Sequence, residues 1–143
     1  MPNTVQFELV SPQKLIKSIG VEMAVVPGTE GDLGVLPGHT PLIAILRPGM
    51  IHIYENEKVV EKFFVSSGFC EVSPERCIVL GEEIIEEKDL DPTEAKSRLS
   101  KAKSALTETV AHAENFREVQ KAKKNVEVAK SLLFAITSNN NDP

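Results

Sequence analysis

Apolar and polar residues alternate along the first 86 positions and then change period. In "TVQFELV" (4–10), Val5, Phe7 and Leu9 fall on one face and Gln6 and Glu8 on the other, the two-residue period of a half-buried strand. Apolar runs follow at "VEMAVV" (21–26), "PLIAIL" (41–46), "MIHIYEN" (50–56), "VVEKFFVSSGFCEV" (59–72) and "RCIVLGEE" (76–83). Pro-Gly pairs stand at 27, 37 and 48, the turn rhythm of an antiparallel sandwich or barrel. In such a turn Pro presets φ at the first central position and Gly accepts positive φ at the second, so each pair is read as a turn. Residues 1–86 are therefore predicted to form an all-β domain.

From residue 87 the period is helical. "DPTE" (91–94) is a helix start: Asp91 caps, Pro92 suits the first position and Glu94 completes a capping box. Ala95, Leu99, Ala102, Leu106 and Val110 then recur at spacings of four and three. A break near "HAEN" (112–115) separates this stripe from a second, Val119, Ala122, Val126, Ala129, Leu133 and Ile136. Two such stripes joined by a short link predict an antiparallel helical hairpin over 87–143, with "TSNNNDP" as a frayed end.

Charge sharpens this division. Residues 1–86 carry 12 acidic and 6 basic side chains, whereas residues 88–130 carry 7 acidic and 10 basic ones. A basic, alanine-rich hairpin on an acidic domain buries little area, and it suits an acidic partner. The net charge of −5, the absence of tryptophan and a single tyrosine argue against a nucleic-acid surface. No apolar run approaches the roughly 20 residues of a membrane span. The start, "MPNTVQFELV", lacks the basic and long apolar regions of a signal peptide, so a cytoplasmic protein is expected.

Chemistry is sparse. Cys70 and Cys77 flank "SPER"; if Val72 pairs with Cys77 across that turn, Cys70 faces Val79 and the thiols are diagonal neighbours. Both are expected reduced and buried. His39, His52 and His112 are scattered and show no metal-ligand spacing. The glycines around Gly38 are followed by His39-Thr40-Pro41 rather than Gly-Lys-Ser/Thr and a helix, which excludes a phosphate loop. Glu30 and Asp32 share a loop with nothing beside them to hold a proton, and His39 lacks an orienting partner. These residues read as turn and surface groups, and the residues alone describe a β-sandwich adaptor whose hairpin docks an acidic partner.

A longer resemblance narrows this. "PGTEGDLGVLPGHTPLIAILRPGMIHI" (27–53), with "FELVSP" near the start, "SSGFCEV" later and an "LD" entry into the helices, resembles the epsilon subunit of bacterial F-type ATP synthases, counterpart of the mitochondrial delta subunit. That resemblance implies a sandwich of about ten short strands carrying a helical hairpin, with no catalytic residue, cofactor or metal of its own. It implies a central-stalk position in which the sandwich binds the gamma subunit and sits on the c-subunit ring, coupling proton flow to ATP synthesis. The complex would stand at the cytoplasmic face of the inner membrane, with membrane association through the complex alone. Glu30, Gly31 and Asp32 match the ring-facing loop, with His39 a further rotor-interface candidate. The hairpin would be regulatory, laying Arg98, Lys101, Lys103, Arg117, Lys121, Lys123 and Lys124 against the beta subunit, beside alpha, to inhibit ATP hydrolysis. Some members bind ATP through a Leu/Ile-Asp-x-x-Arg-Ala motif; here Leu90, Asp91 and Ala95 match, but Glu94 replaces the arginine, so ATP binding is expected weak or absent.

Overall fold

The structure, a computed structural model, describes residues 3–112 and 114–140. The chain divides into two compact units that meet between Lys88 and Asp89.

The first unit holds ten strands: β1 (Val5–Val10), β2 (Leu15–Val21), β3 (Met23–Gly28), β4 (Gly31–Val35), β5 (Leu42–Leu46), β6 (Gly49–Glu55), β7 (Lys58–Val65), β8 (Gly68–Val72), β9 (Arg76–Gly81) and β10 (Ile84–Glu86). They hydrogen-bond in the order β10-β7-β6-β3-β5-β8-β9-β1-β2, with β4 hairpinned onto β3. β1 and β9 run parallel; the other pairs are antiparallel. β3 joins the two halves of this ladder, bonding β6 through Met23–Val25 and β5 at Gly28. The ladder folds over on itself there, and its two ends approach where Lys17 of β2 meets Glu61 of β7, beyond the residues that pair with β10, at 3.0 Å.

The alternation in β1 is borne out, with Val5, Phe7 and Leu9 wholly buried. They join Val26, Val35, Ile51, Val65, Val72 and Val79 in one core. Each such side chain withdrawn from water contributes about 1.5–3 kcal/mol, which is what fixes which face of each strand points inward. Cys70 opposes Val79 and Val72 opposes Cys77, as the turn at "SPER" predicts. Both thiols are free and buried, with their sulfurs 3.5 Å apart. The hydrogen bond to Cys70 and then burial push the Cys77 thiol far up, so it stays protonated.

Two strands escape the apolar pattern. β2 is mostly exposed and is held by its ladder to β1, while β4, "GDLGV", looks like loop but pairs residue for residue with β3. The turn reading of the Pro-Gly pairs needs correction. Only Pro37-Gly38 forms a turn, with Gly38 at φ 82° and the His39 amide bonded to Leu36 O. Pro27 and Gly28 instead end β3 in the interior, and a Cβ on Gly49 would lie 2.9 Å from Pro27 Cβ. Close approach, not positive φ, is what these two glycines supply: Gly49 to the Pro27 ring and Gly28 to the Gly31 carbonyl.

The second unit is a two-helix hairpin of α1 (Pro92–His112) and α2 (Phe116–Asn140), whose helices pack on each other. Asp91 Oδ1 accepts the Thr93 amide at 2.9 Å, and Asn115 Oδ1 accepts that of Glu118 at 3.0 Å, so both helices start on a side-chain cap. Ala113, within the anticipated break, lies outside the described residues, as do residues 141–143 of the expected frayed end. Residues 137–140 belong to α2, which corrects the remainder of that expectation. Val110 is exposed and leaves the first stripe; α2 also buries a second line, Val128, Leu132 and Ala135.

Candidate functional site: an anchored hairpin tip beside an apolar sheet face

The sandwich presents a tip and a face side by side. The tip is the β3–β4 turn, where Gly28 pairs with Gly31 and only Thr29 and Glu30 intervene. Gly31 has φ 129°, and a Cβ on Gly28 would lie 2.7 Å from Gly31 O, so glycine is required at both ends of so tight a turn. Neighbouring backbone secures it: the Thr29 amide donates to Ile45 O and the Arg47 amide to Pro27 O, each at 2.9 Å. The Arg47 guanidinium adds two side-chain bonds, donating to Gly28 O and, at 2.6 Å, to Asp32 Oδ1.

The face is the outer surface of β5 and β8. Ile43 and Ile45 alternate outward on β5 and are 71% and 65% exposed, while Phe69, which pairs directly with Ile45, is 42% exposed. Strand alternation that aims large apolar side chains at water on one face and at the core on the other marks a covering partner. Ile43 and Ile45 belong to the apolar run "PLIAIL" (41–46), and the signal that separates them from its inward members is their parity against Leu42 and Leu46, which turn to the core.

The candidate residues do not all come together. Glu30, Gly31 and Asp32 form the tip, but Asp32 faces Arg47 and is partly neutralised. His39 follows the Pro37-Gly38 turn at the opposite end of β4, about 15 Å away at about 3.3 Å per strand residue. There Gly38 N bonds Pro74 O, and His39 Nδ1 lies 2.7 Å from Thr40 O, which makes Nδ1 the protonated nitrogen. In the hairpin Lys101, Lys103, Arg117, Lys121, Lys123 and Lys124 are exposed and Arg98 is half-buried. Arg117, Lys121 and Lys124 recur at four and three, forming one basic line on α2. The Asp91 carboxylate is engaged as a helix cap, Glu94 is exposed, Leu90 is half-buried and Ala95 is buried. Among the described residues no cluster of His, Cys, Asp and Glu could hold a metal ion, and no helix is long and apolar enough to cross a membrane.

The sequence model of the family "ATP synthase, Delta/Epsilon chain, beta-sandwich domain" matches residues 4–87. The chain is 43% identical over 135 residues to the ATP synthase epsilon chain of Rhodospirillum rubrum, covering 94% of this chain and 98% of that one. It is equally 43% identical over 136 residues to the epsilon chain of Paramagnetospirillum magneticum, covering 95% and 99%. Among solved structures, the Euglena gracilis mitochondrial ATP synthase (OSCP/F1/c-ring, rotational state 1) contains a chain of the same fold, with TM-score 0.77 and 21% identity over 95% of this chain and 83% of that one. The Tetrahymena thermophila mitochondrial ATP synthase central stalk and c-ring holds another, at TM-score 0.56 and 16% identity over 94% and 95%. Matched across its sandwich and similar over nearly its whole length to epsilon chains, the chain belongs to the ATP synthase delta/epsilon family.

Proposed function

We propose that this chain is a non-catalytic central-stalk subunit of an F-type ATP synthase. Its sandwich docks on the gamma subunit and the c ring, so that rotation driven by proton flow is transmitted through a rigid body. The observation that carries this is the exposed apolar pair Ile43 and Ile45 with Phe69, next to a tip whose backbone is bonded into β5. A flat apolar sheet face suits a constant protein partner, and a short polar tip suits the polar loops at the end of a ring. The chain performs no step of ATP synthesis; the chemistry belongs to the catalytic subunits. Its place is the cytoplasmic face of the bacterial inner membrane, held there through the complex.

Replacing Ile45 by Asp tests the face. Both variant and parent should fold, since Ile45 already meets water. The variant should bind the gamma subunit at least about tenfold more weakly, the scale of losing one buried interface anchor. Equal affinity would remove the face from the interface.

The hairpin is read as a regulator of hydrolysis that lays its basic line, Arg117, Lys121 and Lys124, along an acidic segment of the beta subunit. ATP is not its ligand in this reading. Glu94 adds repulsion toward polyphosphate, and Asp91 is already engaged at the helix cap.

A further inference from the structure

We propose that Arg47 is a positioning residue for the rotor interface, acting as a clamp that presents the Glu30–Asp32 tip. This rests on the reading of that tip as the part that meets the c ring. Arg47 follows β5, and its guanidinium reaches Gly28 O at the end of β3 and Asp32 Oδ1 on β4. One planar group thus ties three successive strands at their common end. A guanidinium offers several donors in a fixed plane, so bonding a carbonyl and a carboxylate at once sets both a distance and an angle. The backbone bonds from Thr29 to Ile45 and from Arg47 to Pro27 hold β3 against β5 but do not reach β4. β4 is otherwise held through its ladder to β3, and Arg47 adds a side-chain tie from the end of β5 directly to it.

The clamp also sets the charge of the tip. Arg47 is 41% and Asp32 62% exposed as side chains, so each still meets solvent while neutralising the other. Glu30 is left as the remaining carboxylate of the turn. The surface offered is therefore one projecting acid on a braced, nearly neutral base. It suits a polar ring loop that supplies hydrogen bonds and a single cation, not a strongly basic patch. Since the pair is exposed, its loss should scarcely alter global stability. Its effect should fall on the geometry of the tip.

The test uses full-length Arg47→Gln, Arg47→Lys, Asp32→Asn and the Arg47→Gln/Asp32→Asn double variant, with Glu30→Lys as the probe of the tip itself. Amide hydrogen exchange of the free proteins reads the tip. Restoration of ATP-driven proton pumping reads docking, in stripped membranes rebuilt with F1 lacking this subunit. Arg47→Gln should speed exchange at residues 29–34 about tenfold, leave melting unchanged, and raise the concentration for half-maximal pumping about tenfold. Arg47→Lys should recover part of both effects, and the double variant should be no worse than either single one. Unchanged exchange with Arg47→Gln, or additive losses in the double variant, would overturn the clamp. If Glu30→Lys impairs pumping and Arg47→Gln does not, the clamp falls while ring contact stands. If neither impairs it, the ring reading falls and the clamp with it.

Discussion

At Gly68 a methyl group has nowhere to go, since a Cβ there would lie 1.8 Å from Leu80 O with φ at 146°. Both the clash and the dihedral penalise any other residue, so Gly68→Ala should destabilise the sandwich by about 3 kcal/mol, measured by urea unfolding. The β6–β7 turn offers the opposite case. Asn56 and Glu57 both have positive φ, 52° and 64°, the pattern of a two-residue hairpin turn that favours Asn-Gly. Glu57→Gly should therefore stabilise by about 1 kcal/mol, the cost of a left-handed non-glycine residue. The two cysteines are predicted inert because both are wholly buried, even though the hydrogen bond with Cys77 lowers the Cys70 thiol. Because a hydrogen bond and burial raise the Cys77 thiol, its contribution to stability is fully present below the ordinary thiol range and is lost as pH rises beyond it. Iodoacetamide at pH 8 should leave both thiols unmodified in the native protein and label both in urea, as intact mass would record.

At the scale of elements, what the sequence reveals depends on whether burial or pairing makes the strand. β1 is legible because its odd residues fill the core. β2 and β4 are not, because their hydrogen bonds to β1 and β3 hold them while their side chains largely face water. Pro27-Gly28 misleads for a related reason: the same dipeptide that makes a turn at 37–38 here fits a strand end against Gly49. The tip at 30–32 was visible as a motif, whereas Arg47 was not, since its partners lie 15 and 19 residues away in sequence. A sheet edge is also protected in a way only the fold displays. Glu61 pairs with the buried Ile53 and so points inward, and Lys17 meets it across the gap. An inward lysine on the edge strand β2, engaged with Glu61, discourages pairing with another chain there. In the hairpin, Asp91→Ala should lower α1 stability by about 1 kcal/mol through loss of its cap, read as helicity lost on heating.

For the whole molecule, the proposed function divides the labour between an acidic sandwich that attaches and a basic hairpin that regulates. Ending the chain at Asp89 removes the hairpin unit and leaves the sandwich core complete, since every core residue precedes it. The truncated chain should still enter the complex and support coupled rotation, while raising ATP hydrolysis by the assembled enzyme severalfold. Unchanged hydrolysis would remove the regulatory role without touching the attachment.

Attachment is the central claim, and co-purification tests it most directly. A tagged full-length chain would be recovered from detergent-solubilised membranes, with ATPase assay and subunit identification of what elutes. Co-elution of an intact, active ATPase with one copy of this chain and the gamma and c subunits is the predicted result. An eluate without ATPase activity or those subunits would contradict it, leaving a β-sandwich and a hairpin that serve some other partner.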